Sequence, residues 1–289
     1  MKKYEYYLKD ETLGFENGIE ILKSRYADKI FVGWPSITYS QKENSNLISE
    51  LNKYKVQTEQ IEILREEYDL YIHKVNYREK YPNYYPSNYH EKTFEHFLAF
   101  KLLNQKKDDK FIDIGAENSP HADIFSKLTG CHGYVQDIML KPGIHGKNIG
   151  CDASMIPVKN GFFNSILVAC AIEHFENDSD IKFVQEASRI LKSHGKILIL
   201  PLYLHNHPFY VTDPIFSVPG NVDFSENLKI YCVKDWGNRQ ALFYSPQTLH
   251  NRLIEKNSKN IEFKVIYIKN FHKIDPSIYC RFALLGTKK

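Results

Sequence analysis

Little in this 289-residue chain points to a metal, a disulfide framework or a membrane. Its five cysteines (Cys131, Cys151, Cys170, Cys232 and Cys280) are odd in number, widely spaced and free of any C-x-x-C pair. That pattern argues against a zinc knuckle and a disulfide scaffold, and the thiols read as reduced and mostly buried. No run approaches the roughly 18 apolar residues of a spanning helix, and the segment from Met1 to Tyr7 lacks the apolar stretch of a secretory signal. The expected location is the cytoplasm, with no membrane partner. A basic block is missing too: the formal net charge is +3 and the charged residues are spread along the chain. Without an electrostatic footprint, nucleic acid is not an expected partner. Glycine is also sparse where a dinucleotide fold needs it, because no G-x-G-x-x-G follows any strand.

What is present is a chain with 43% hydrophobic and 14% aromatic residues, enough for one full-sized α/β domain with an appendage. From Asp113 to about Leu202, short apolar runs at 111–115, 133–137, 148–151, 165–170 and 196–201 alternate with helical or turn segments. This is the pattern of a parallel sheet covered by helices. Between the last two runs, Ile181, Phe183, Val184, Ala187, Ile190 and Leu191 share a helical stripe, and Gly195 reads as the helix stop. After an irregular stretch from 203 to about 243, Ser245 and Pro246 open a helix. Runs beginning at Ile261 and Ile278 then close a sheet of about seven strands. Residues 1–88 are Tyr- and Lys-rich and predict a mostly helical appendage, with helices near 17–27, 44–56 and 58–73. Pro82 and Pro86 make the tract 77–89 extended, and a helix over 90–103 leads into the first strand.

The turn after that strand, Phe111-Ile-Asp-Ile-Gly-Ala-Glu-Asn-Ser-Pro120, lies where an α/β sheet cradles its ligand. Only Gly115 of a phosphate-binding glycine set is there, and Glu117 stands in the second glycine position. A carboxylate about 4 Å from a phosphate repels it by up to about 4 kcal/mol at an effective dielectric near 20. The turn therefore argues against NAD, and hence against an NAD-linked oxidoreductase, and for a ligand with positive charge.

Five ordered segments carry a resemblance. They are Phe111–Ser119, Gly133-Tyr-Val-Gln-Asp137, Gly150-Cys-Asp-Ala-Ser154, Ser165–Phe175 with its Glu173-His174 ending, and Arg189–Pro201. Together they resemble the class I S-adenosylmethionine (SAM)-dependent methyltransferases, of the small-molecule type, over roughly 90–289. The resemblance implies a Rossmann-like α/β fold, a mostly parallel seven-stranded sheet with helices on both faces. It divides the chain into a cap at 1–88 and a SAM-binding domain at 89–289, with 203–244 as a substrate-specificity insertion. It also implies cofactor-binding roles. Asp137 would accept from the ribose hydroxyls, and Asp152 from the adenine amine with Ala153 beside it. Asp113, Gly115 and Ala116 would form the turn, with Asp113 ordering it or meeting the amino-acid end. Glu117 would pair with the methionine ammonium or face solvent. Tyr84, Tyr85 and Tyr89 would close over the methionine end or pack cap against core.

Methyl transfer is an in-line displacement in which positioning supplies much of the rate, and a base helps when the acceptor is a hydroxyl. Histidines are the natural bases near neutral pH. His174, His205 and His207 are the candidates, placed beyond the fourth and fifth strands. A metal reading of His205, His207 and Asp213 lacks a second acid pair at ligand spacing, so no metal is expected. His145 reads as a turn residue, and Arg239 as either a grip for an anionic group or a surface residue. The function this implies is methyl transfer to a small polar acceptor, an oxygen of a sugar or related metabolite. The alternative is a SAM- or nucleotide-binding scaffold that has lost catalysis. Oligomeric state does not follow from the sequence.

Overall fold

Eight strands form the main sheet of the protein, whose computed structural model describes residues 9–10, 12–37, 39–84, 86–116, 118–257 and 259–289. In chain order the strands are β1 (Ile30–Val32), β2 (Gln57–Ile61), β3 (Lys110–Ile114), β4 (His132–His145), β5 (Asn148–Gly150), β6 (Phe163–Ala169), β7 (Leu191–Leu200), β8 (Phe209–Thr212), β9 (Lys229–Cys232), β10 (Ala241–Phe243), β11 (Ile261–Ile268) and β12 (Phe282–Lys288). The main sheet runs β2-β11-β12-β7-β6-β3-β4-β5. Neighbours from β5 to β7 pair parallel, whereas β12 is antiparallel to both β7 and β11. The chain steps outward from β3 to β5 and returns to β6 on the other side of β3. The topological switch point therefore lies between β3 and β6.

Alternation along the buried strands sorts two cores, since successive side chains point to opposite faces. Ile112, Ile166, Val168, Ile197 and Ile199 join Phe183, Val184 and Ala187 of the helix Ser179–Ile190 on one face. Phe111, Leu167 and Leu198 face the helices Tyr89–Leu103 and His121–Thr129 on the other, through Phe94, Leu98 and Phe125. Both faces of the sheet are covered, as its near-continuous apolar strands require. Among the described residues no helix is long and apolar enough to cross a membrane.

Several expectations change. The sheet has eight strands rather than seven because Gln57–Ile61, expected inside a helix over 58–73, pairs parallel with Lys264–Ile268. It covers an edge that β11 would otherwise leave open, and the helix begins only at Arg65. The stripe expected to stay helical to Ser193 ends at Ile190, and β7 starts at Leu191 with a register shift between Phe163 and Ser165. Gly195 sits in that irregularity rather than at a helix stop. A Cβ there would meet the Lys192 carbonyl at 2.8 Å. The stretch 203–243 is not irregular: β8, β9 and β10 build a second sheet ordered β1-β9-β8-β10. Residues before 89 thus supply one strand to each sheet. The tract 77–89 holds a helical turn at Tyr77–Lys80 and a 3₁₀ turn at Pro86–Asn88 rather than extended chain. Ser245 does cap the helix Pro246–Leu249, its Oγ accepting from the Thr248 N–H.

Candidate active site

Beyond the carboxyl ends of β3, β4 and β6 lies a cavity of about 910 Å³. Asp113, Gly115 and Ala116 enter it from β3, Gln136 and Asp137 from β4, Asp152 and Ala153 from the loop after β5, and Cys170, Ala171 and His174 from the end of β6. Gly115 has φ 63°, and a Cβ on it would lie 2.7 Å from the Ala171 Cβ. The switch point is closed so tightly that only glycine fits the turn.

Asp113 is buried, and its Oδ2 lies 3.1 Å from Nδ1 of His121, a ring that also meets the Ser119 hydroxyl. One of its oxygens therefore orders the passage from turn to helix. The buried Asp137 accepts from the Met139 N–H at 2.7 Å. Asp152 is exposed, and its Oδ1 accepts from the Ser154 N–H at 2.8 Å, an Asx turn. Gln136 is a residue the sequence reading missed. Its carbonyl accepts from the Ala116 N–H at 3.1 Å, its Oε1 from the Gly115 N–H at 3.3 Å, and its amide donates to the Cys151 carbonyl at 2.6 Å. It ties three strand ends into one rim. Glu117 and Tyr85 lie outside the described residues.

Other expected site residues lie apart from this rim. Tyr84 lines the cavity, but Tyr89 does not: its ring takes the Arg78 guanidinium at 4.4 Å and meets Tyr77 edge-on. His174 lines the cavity, whereas His205 and His207 do not. His205 packs on Phe209, and its backbone N–H donates to Tyr244, which holds the segment against β10. Asp213 is spent on the Ile215 and Gly237 N–H groups, and among the described residues no three side chains gather as metal ligands. Arg239 is buried rather than superficial, with Nε 2.9 Å from Glu176. Burial pushes the Glu176 carboxyl up, and the Arg239 charge opposes it. His145 is the last residue of β4 rather than a turn residue, with its Nε2 3.0 Å from the Pro142 carbonyl oxygen.

The helix before β3 contributes a pair that the sequence reading also missed. Lys92 Nζ lies 3.0 Å and 3.1 Å from the two Glu95 oxygens and 2.7 Å from Cys170 Sγ, with all three residues on the cavity wall. Burial works against the ammonium, but the side chains around it, with both Glu95 oxygens within 3.1 Å, hold its pKa well above the usual 10.5. Burial holds Cys170 as a thiol. The available signal was two charges three apart in a helix that is otherwise buried all round.

Behind Asp113, His96 lies in a fully buried network. Its ring nitrogens bond the hydroxyls of Tyr77 at 2.8 Å and Tyr84 at 2.6 Å, and its ring meets that of His121 at a 39° tilt. Burial, then the neighbouring His121 and Lys92, lowers its pKa well below the usual 6.5. The unfolded chain therefore takes a proton below about pH 6.5 that the folded chain refuses. This group makes stability fall as pH drops below that point, by up to about 1.4 kcal/mol per pH unit. Thermal melts between pH 7.5 and 5.5 should show the decline, and His96→Asn should flatten it. An equal decline in the variant would remove His96 as the cause.

The strand order places β12, antiparallel, between β7 and β11 of an otherwise parallel core, with the ligand cavity at the switch point. Residues 130–199 match the model of a methyltransferase domain. That match spans 70 of the 289 residues, from the end of the helix before β4 to the end of β7. No curated protein matches the chain.

Among solved structures, a protein of Anabaena variabilis, provisionally described as a methyltransferase from an antibiotic biosynthesis pathway, is 21% identical, with 36% of this chain and 43% of that one covered and a TM-score of 0.31. The 1,6-didemethyltoxoflavin-N1-methyltransferase of Burkholderia thailandensis is 11% identical over 81% of this chain and 93% of that one, with a TM-score of 0.43. Phosphoethanolamine N-methyltransferase 2 of Haemonchus contortus is 11% identical over 74% and 59%, with a TM-score of 0.42.

Proposed function

We propose that the chain transfers a methyl group from SAM to a small polar acceptor, an oxygen of a sugar or related metabolite. The observation that carries this reading is the convergence on one cavity of the Gly115 turn at the end of β3, Asp137 in the middle of β4 and Asp152 just after β5. Bound SAM supplies an electrophilic methyl carbon on a sulfonium. The cavity fits such a ligand, because its lining carries the carboxylates of Asp113, Asp137 and Asp152 on the cofactor side and would repel a pyrophosphate. Asp137 would hold the ribose hydroxyls and Asp152 with Ala153 the adenine, while Asp113, Gly115 and Ala116 face the amino-acid end.

The acceptor would enter past His174, where Glu176, Ser179 and Asn238 make the lining polar. Holding it in line with the methyl carbon is the main catalytic act. His174, on the cavity wall, would take the proton that the acceptor oxygen loses.

Calorimetry with S-adenosylhomocysteine (SAH) tests the cofactor assignment. Asp137→Ala should weaken binding by at least roughly tenfold, the loss of one charge-assisted hydrogen bond or more. Unchanged affinity would overturn the assignment. Transfer of labelled methyl groups to a metabolite extract tests turnover. Intact SAH binding with an unlabelled extract would identify a binding scaffold instead.

A further inference from the structure

Both tryptophans of the chain, Trp34 and Trp236, meet beside this cavity. Their rings lie 6.0 Å apart, edge to face, and the Trp236 ring lies 5.9 Å from that of His174, which lines the cavity. Asn238, also in the lining, donates its side-chain amide to the Trp236 carbonyl at 3.2 Å. The three rings step from the cavity wall out to solvent, where Trp34 remains 54% exposed.

Trp34 sits just past the end of β1, and Trp236 lies between β9 and β10, so the second sheet brings together residues 202 positions apart. Sheet packing does not explain why an indole should stay half in water there. A half-exposed indole that reaches the cavity wall through Trp236 and His174 marks a contact surface.

We propose that the Trp34–Trp236 pair is a subsite for a second ring of a sugar acceptor, so that the acceptor is a disaccharide or longer glycoside with its reacting ring beside His174. This rests on the methyl-transfer reading and adds the acceptor's length to it. A sugar ring has an apolar C–H face and a rim of hydroxyls. The indole faces match the first, and the exposed Lys234 and Asp235 beside Trp236 offer hydrogen-bond partners to the second. A purely apolar chain would need an enclosed groove, whereas this shelf is open and its rim polar.

Because the chain has no other tryptophan, fluorescence excited selectively at tryptophan, beyond the absorption of the 20 tyrosines, reads this pair. The full-length protein, saturated with SAH, is titrated with methyl glucoside, maltose, cellobiose, lactose and diacetylchitobiose. At least one disaccharide should give a saturable change at about millimolar concentration, roughly fivefold or more below its monosaccharide. Trp34→Ala should raise that midpoint roughly three- to tenfold, read from the remaining tryptophan, with SAH affinity unchanged. Silence with every disaccharide while SAH binds overturns the subsite. So does a signal that follows protein concentration, which assigns the shelf to a second copy, or one that appears only with phosphatidylcholine vesicles. Failure of SAH itself to bind overturns the methyl-transfer reading instead.

Discussion

Replacing Asp180 with alanine should lower the folding free energy by about 3–5 kcal/mol, the usual loss when a buried charge pair is cut on one side. Asp180 is fully buried at the start of the helix Ser179–Ile190. Its Oδ2 accepts from the Tyr244 hydroxyl and from Arg252 Nε, each at 2.8 Å. Its Oδ1 accepts from Arg252 Nη2 at 2.6 Å and from the Ile181 N–H at 2.7 Å. The guanidinium is therefore gripped as a fork, the strongest geometry for such a pair. Burial pushes the Tyr244 phenol well up, so it stays a donor, and Asp180 more than offsets the burial of Arg252. One carboxylate thus joins the helix that packs under β6 and β7 to the chain just after β10 and to the segment 250–254. Alanine leaves a buried phenol and a mostly buried cation without an acceptor, while asparagine keeps the shape and should cost about half as much. Urea unfolding should show a lower midpoint at unchanged slope. A loss below about 1 kcal/mol would mean that water or Asp178, 3.6 Å from Arg252, replaces the lost acceptor.

The parts of the protein legible in its sequence are those whose signal is local. The runs at 111–115, 165–170 and 196–201 are apolar on both faces because helices cover both, and a strand of that kind announces itself. The Gly115 turn and the acids at 137 and 152 follow strands closely enough in sequence to be placed by order alone. What was hidden depends on distant partners. Gln57–Ile61 carries no alternation and becomes a strand only because β11, some 200 residues later, offers an edge. β1, β8, β9 and β10 are three or four residues long, below the length at which period 2 can be read. The site divides in the same way. Lys92 and Glu95 drew no reading from the sequence, and only tertiary packing makes them a cavity wall. His205 and His207 followed the fifth strand closely enough to suggest the acceptor mouth, yet the pairing of Leu204 with Tyr244 carries them past it.

Replacing His174 with glutamine should reduce kcat about 10²- to 10⁴-fold for a hydroxyl acceptor while leaving SAH affinity unchanged. Nδ1 of His174 lies 2.5 Å from the Gln240 carbonyl oxygen, which can only accept, so the ring proton sits on Nδ1. Nε2 is then the basic nitrogen, on a ring that lines the cavity. Glu173 Oε1 lies 3.8 Å from it. Burial raises the Glu173 carboxyl, and the His174 charge only partly opposes it. In the proposed reaction the ring would take a proton from the acceptor beside the Glu173 carboxyl, 3.8 Å away, which would stabilise the imidazolium when ionised. Two further results separate a base from a prop. The acidic limb of the kcat–pH profile should disappear in His174→Gln, and Glu173→Gln should keep the ring's bond to Gln240 while losing part of the rate. A variant with wild-type kcat and an unaltered profile would reduce His174 to a spacer between the cavity and Trp236, and the chemistry would then rest on alignment alone.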